Sequence, residues 1–234
     1  MLRGQFVSVT RIVFVVVAVA FAMFAGRELY ASIRTASISI VAERIERGDT
    51  VANDVTAKYA ARTVAMVDGH YCRSDIVAPG VTLVLAQLDR QNIDVDYDAW
   101  AAAASGARHF LQHAVSCMPT NSNFWLRLAA VQSVIAEEPL SIAGMMKRSV
   151  ALAPHDESMI LTRFYFWNDF TDATLSAAKT ALDSDLTTML KLGDRCRVNV
   201  TIKVISPQLR PIFDRTWAGV GDRATARFRQ RCSK

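Results

Sequence analysis

The chain is poor in the residues that build special architectures. Ten Gly and six Pro among 234 residues exclude collagen-like and Gly/Pro low-complexity classes. Four Cys are too few for a small disulfide scaffold, and none stand in C-x-x-C spacing, so a redox dithiol motif and a paired zinc knuckle are both excluded. Charged residues make up only 21% against 51% for the set AVILMFWYC, which excludes disorder for most of the chain. No G-x-S-x-G, P-loop or G-x-G-x-x-G occurs. His109 and His113 share a helix face and make half a zinc site, with no Glu between them to act as a base. His155-Asp156 reads as a turn and a cap. Asp94, Asp96 and Asp98 imitate the opening of a calcium loop but lack its Gly and closing Glu. Asp98 instead suits the N-cap of a helix starting at Ala99. No catalytic residue, metal or cofactor is expected, and the chain reads as a non-enzyme.

What is present begins with fourteen consecutive apolar residues, Ile12 to Ala25, with Arg3 and Arg11 before them and no acid before Glu28. Fourteen helical residues rise about 21 Å, short of a hydrocarbon core of about 30 Å. Phe6 to Gly26 suffices if Arg11 snorkels to the interface. This favours an uncleaved single-pass anchor, and a cleaved signal peptide is the competing reading. Flanking positive charge places the N-terminus in the cytoplasm and the body outside, which in a bacterium means inner membrane and periplasm. The formal charge is +5, but residues 195–234 carry ten basic and two acidic residues, +8, leaving −3 for the remainder. That basic end, with Arg210, Arg215, Arg223, Arg227, Arg229 and Arg231, could attract an anionic polysaccharide or lipid headgroups; the plainer reading is a solvated face. No nucleic-acid partner is expected.

Beyond residue 27 the apolar period is helical, and the fold class expected is all-α. The spacing predicts helices over 28–47, 53–67, 73–91, 96–116, 121–136, 139–153, 156–169, 172–183, 185–192, 195–204, 207–217 and 222–231. Pro79-Gly80, Met118 to Asn121 and Ala153 to Asp156 read as turns or caps. Val198–Ile205 is strand-like by propensity, but a lone strand has no partner, so helix is assigned. The domains expected are an anchor (1–27), a connecting helix (28–52), a helical body (53–193) and a basic C-terminal segment (194–234).

Residues 113–129 align with 148–164 at an offset of 35, matching Val115 to Val150, Pro119 to Pro154 and Leu126 to Leu161. This pattern resembles the tetratricopeptide repeat, a helix–turn–helix unit of about 34 residues. Trp125, Leu128 and Ala129 look like the start of its first helix, and Ser149 to Pro154 like its closing segment. Ser149 stands where the family usually has Ala, and an insertion falls near Glu137-Glu138. The resemblance implies about two stacked hairpins with Trp125, Leu128, Val150 and Pro154 in the repeat core, and Trp125 as an anchor worth about 3–5 kcal/mol. The layout of anchor plus repeat-like body is also similar to small alphaproteobacterial envelope proteins that accompany polysaccharide synthesis and export.

Two clusters remain. Phe164, Tyr165, Phe166, Trp167 and Phe170 cannot all share one helical face, so some are candidates for a partner groove, with core packing as the alternative. Cys72 and Cys117 approach if successive hairpins pack side by side, leaving Cys196 and Cys232 as a second disulfide; four buried thiols are the competing reading. The expected function is a membrane-tethered scaffold for an envelope protein, with binding of an anionic polysaccharide or lipid as the alternative. Reporter fusions after residue 40 should be active for a periplasmic enzyme and silent for a cytoplasmic one. The reverse pattern would invert the assigned topology.

Overall fold

The structure, a computed structural model, describes residues 2–67, 71–221 and 228, with side chains described from residue 11 onward except at residue 34. The described residues form eleven α-helices and no strand. They are α1 (Leu2–Glu46), α2 (Asn53–Val64), α3 (Ser74–Asp89), α4 (Tyr97–Cys117), α5 (Ser122–Ile135), α6 (Pro139–Leu152), α7 (Glu157–Asp169), α8 (Asp172–Ala177), α9 (Lys179–Leu192), α10 (Arg195–Ile202) and α11 (Arg210–Val220). The helix expected over 222–231 lies outside the described residues, apart from Phe228.

Helix α1 has no Pro, and it runs unbroken through residue 27, where the sequence places the end of the anchor. From Arg11 onward it is long and apolar enough to cross a membrane, and none of its most apolar window is buried. It stops at Gly48, whose φ of 78° only glycine adopts readily. There Gly48 N donates to Ile45 O at 2.9 Å and Asp49 N to Arg44 O at 2.9 Å, the paired bonds of a Schellman stop. The second half of α1 is docked. Ile38 and Ala42 bury against Leu83 of α3, flanked by Ile45, Tyr59 and Met66. Arg73 ties the join, donating to Glu28 at 2.6 Å and to Ser32 Oγ at 3.2 Å.

The turn read at Pro79-Gly80 does not form; α3 continues through both residues, as the helix expected over 73–91 requires. Pro79 has no N–H to give Asp75 O, four residues back. Ser39 Oγ of α1 donates to that carbonyl instead, at 3.2 Å. Gly80 permits the close approach of α3 to its neighbours. A Cβ there would lie 2.5 Å from the Phe110 ring of α4 and 2.7 Å from Thr63 of α2. Hairpins α3–α4, α5–α6 and α7 with α8–α9 follow in order. The offset of 35 recurs in their caps, since Asn121 accepts from Asn123 N and Phe124 N while Asp156 accepts from Met159 N. At α4 the cap is Asp96, accepting from Ala99 N, and not Asp98, which lies inside the first turn. Asp194 caps α10 through Cys196 N and Arg197 N, and those bonds hold its carboxyl below the usual range. That cap starts a helix across the β-branched stretch that follows.

The expected division at residue 184 is displaced. The chain breaks at Ala178 and then forms one helix, α9, through Ser184 and Asp185. Asp185 resembles a cap by type, but its carboxylate is buried. Arg163 of α7, wholly buried, donates Nε to Asp185 Oδ2 at 2.7 Å and Nη2 to Oδ1 at 2.8 Å. Trp167 Nε1 donates to the same Oδ2 at 2.9 Å. Arg163 also reaches Ala153 O at 3.0 Å and Ser149 O at 3.4 Å, at the C-terminus of α6, where a cation complements the helix dipole. Ser122 Oγ donates to Ser149 O at 2.9 Å, joining α5 to the same network.

Trp125 is not the deep anchor expected. It is half-buried, its Nε1 donates to Pro119 O at 2.8 Å, and the Arg148 guanidinium lies 5.0 Å above its ring. It packs with the α3–α4–α5 cluster, whereas Val150 belongs to the cluster beyond α5. The α5 face that meets α6 is Leu126 and Ala129, both fully buried. Leu128 and Val150 are buried as expected, and Pro154 is partly so.

Removing one partner of the buried pair strands a charge, at about 3–5 kcal/mol. Asp185→Ala and Arg163→Ala should each lose a large part of the margin of a typical domain, about 5–15 kcal/mol, in urea unfolding. The double variant Arg163→Met/Asp185→Leu should recover much of it, because replacing both charges removes the stranded one. Equal loss in single and double variants would contradict this account.

Candidate functional site

The first helices of three successive hairpins, α3, α5 and α7, share one concave surface. It holds an open groove of about 370 Å³. Leu85 and Leu88 of α3, Val134 of α5 and Phe166 of α7 supply apolar walls, and Asp89 and Arg127 supply charge. Val134 stands 55% exposed there, so the apolar lining is open to a partner. Arg127 Nε donates to Asn123 Oδ1 at 3.1 Å, one turn back on α5, which orients the guanidinium. Burial lowers the Arg127 pKa from its ordinary value, while Glu46 and Asp89 act in the opposite sense. Burial likewise raises the Asp89 carboxyl, with Arg127 acting against it. The two charges therefore face each other across a partly desolvated cleft, where a partner's carboxylate or amide would meet a poorly hydrated cation.

The aromatic run of α7 divides as the helical period requires. Phe164, Trp167 and Phe170 are core residues, so three of the five expected groove residues are corrected to packing. Their positions, three apart, lie on the side of α7 that meets α9. Tyr165 is 54% exposed, and Phe166 is the member that lines the groove. The other groove residues carry no distinctive sequence signal. Leu85, Leu88 and Val134 look like any helical aliphatics until three helices line up.

A second cleft of about 380 Å³ lies between α9 and α11, lined by Lys179, Lys191 and Arg215 with Asp183. Asp183 is paired to Lys179. Arg210 and Arg215 are exposed, while Arg223, Arg227, Arg229 and Arg231 lie outside the described residues. A third, alanine-lined cleft between α2 and α4 brings no titratable side chain with it.

Cys72 and Cys117 are joined, with Cα atoms 5.0 Å apart. Cys196 is also disulfide-bonded, and Cys232, the partner expected for it, lies outside the described residues. His113 Nε2 sits 2.8 Å from Tyr71 O and 3.4 Å from Cys117 Sγ. Cys72, His113 and Cys117 therefore bring three donor atoms within 4.8 Å of one another. The sulfurs are bonded to each other, so this form offers no thiolate to a metal. Its role is to pin the strap before α3 to the end of α4.

The chain matches no protein-family model, no curated protein and no solved structure.

Closing a loop of 45 residues contributes about 4 kcal/mol in the chain-entropy model. Cys72→Ser/Cys117→Ser should lower the unfolding midpoint accordingly and expose the strap before α3 to protease. An unchanged midpoint would show that α3 and α4 hold this strap without the bond.

Proposed function

We propose that this protein is a non-enzymatic scaffold, held to a bacterial inner membrane by α1 with its body in the periplasm, that binds a segment of another envelope protein in the groove of α3, α5 and α7. The observation that carries the reading is the groove itself. Three consecutive hairpins turn the same helix inward, which is how stacked helical repeats present a binding surface. Its apolar walls suit one or two large side chains of a partner, and Arg127 suits a carboxylate or carbonyl beside them. The layout resemblance extends the proposal to polysaccharide assembly or export as the setting. A second reading, an anionic polysaccharide or lipid headgroup on the basic C-terminal region, is favoured by Arg215 of that region, which lines one cleft together with Lys179 and Lys191 of α9. Salt separates the two, because binding to exposed cations weakens steeply as the Debye length shrinks, and an apolar groove responds less.

A photo-crosslinking residue in place of Val134 should capture one discrete protein in intact cells. The same residue in place of Leu140, 84% exposed on α6, should not. Capture at both positions, or at neither, would remove the groove as the docking surface.

A further inference from the structure

The second half of α1 is apolar on two faces, and the body covers only one. Numbering the helix in sevens from Ile12 as position a puts Ile12, Val19, Gly26, Ile33 and Ile40 at a. It puts Val15, Ala22, Leu29 and Ala36 at d. All nine are exposed, Leu29 at 62%, Ile33 at 68% and Ile40 at 58%. The residues that meet the body fall at the other positions. Glu28, Thr35 and Ala42 are at c, Val41 is at b, and Ile38 and Ile45 are at f, facing away from the a/d seam, while Ser32 and Ser39 at g mark the near edge of the body. The helix thus carries its own domain on one side and an unbroken apolar seam of period 3.5 on the other.

Within the apolar run almost any register would be apolar, so the discriminating part is size. The bulky Phe14, Phe21 and Phe24 fall at c and f, whereas Ala18, Ala22, Ala25 and Gly26 fall at g, d, g and a. Small residues on one side of a membrane helix let another helix approach. At Gly26 an added Cβ would meet nothing within 4 Å, so the seam is open at the membrane boundary. Lipid does not explain the rest. Ile33 and Ile40 stand about 10 and 21 Å beyond Gly26 along the axis. A headgroup layer adds only about 5–8 Å to the hydrocarbon.

We propose that the a/d seam of α1, from Ile12 to Ile40, is the contact surface of a parallel homodimer, its occupant being the same seam of a second copy of this chain. Three features select a second copy. A single-pass anchor holds two copies parallel, so each residue meets its own kind at the same depth and the contact closes on a two-fold axis. β-branched Ile or Val at four of the five a positions, with Leu29 at d between Gly26 and Ile33, favours two strands. The flanking positions beyond the membrane are uncharged, Tyr30 and Ser37 at e and, already bonded to Arg73 and Asp75 O of the body, Ser32 and Ser39 at g, and the seam ends at Glu43. The parallel arrangement rests on the anchor reading, and the seam over Leu29–Ile40 does not. Two grooves then face partners from one stalk, so a repetitive or dimeric partner gains effective concentration.

The test is oxidative cross-linking of the full chain in native membranes, with one added cysteine per variant. Ile33→Cys and Ile40→Cys should give a disulfide-linked species of twice the monomer mass, several-fold more than Arg27→Cys, at position b. Ile33→Lys/Ile40→Lys should abolish dimerisation in detergent, read by sedimentation, while leaving the melting of the body unchanged, because both side chains lie away from α3. Equal cross-linking at Arg27→Cys, no cross-linking at Ile33 and Ile40, or a product joining those positions to a different protein would each overturn the dimer. Alkaline extraction of the same membranes reads the anchor separately. A protein released as soluble would refute the anchor, whatever the cross-linking shows.

Discussion

One buried ion pair organises the C-terminal half of this fold. Arg163 and Asp185 are almost completely excluded from solvent and bond in two places at once. Neither charge survives burial alone, so α7 and α9 are committed to one relative position. The commitment spreads. Arg163 satisfies carbonyls at the end of α6, Trp167 spends its N–H on the same carboxylate, and Ser122 links α5 through Ser149. A hydrophobic interface could slide by part of a turn at modest cost, but this network has one geometry in which every donor is satisfied.

That constraint also shapes the groove. With Trp167 and Phe164 drawn inward, Phe166 is left on the side of α7 that faces α5. Glu137 reinforces the stacking at the α5–α6 turn, accepting from Thr171 N at 2.9 Å, Thr171 Oγ1 at 2.7 Å and Thr174 Oγ1 at 2.6 Å. Burial raises the pKa of this carboxyl, but the three hydrogen bonds together hold it below its ordinary value. Glu137 therefore bridges two hairpins.

At the other end the join between α1 and α3 decides how the body is carried. A flexible linker would leave the groove free to tumble beside a membrane. Here the helix that is apolar enough to span continues as the docked helix, held by Ile38, Ala42 and the Arg73–Glu28 pair. Pro79 contributes by freeing a carbonyl that α1 then satisfies.

Much was legible in the chain. Period, caps and proline stops placed the helices, because these signals act within a turn or two of the residues that carry them. The repeat offset shows itself in Asn121 and Asp156 for the same reason, while hairpin geometry allows the Cys72–Cys117 pairing but does not decide it against four thiols, and the bond is a finding of the structure. What misled was local reading of residues with distant partners. The local pattern puts a helix boundary beside Asp185, and Pro79-Gly80 has the composition of a turn. Ser149 gives no local sign of its partners, although its hydroxyl and carbonyl meet Ser122 and Arg163. Trp125 reads as a core anchor from its register with Leu128 and Ala129, yet the stacking of Arg148 and the bond to Pro119 hold it at the edge. The sequence by itself determined the all-α class, the apolar N-terminal helix and the hairpin rhythm, since each depends on periodicity along one helix. Only the tertiary structure decided which faces meet, where Asp185 finds its arginine, and which aliphatics line a groove. Those choices rest on side chains 14 to 81 residues apart, from Ser149–Arg163 to Leu85–Phe166, whose complementarity exists only after the helices pack.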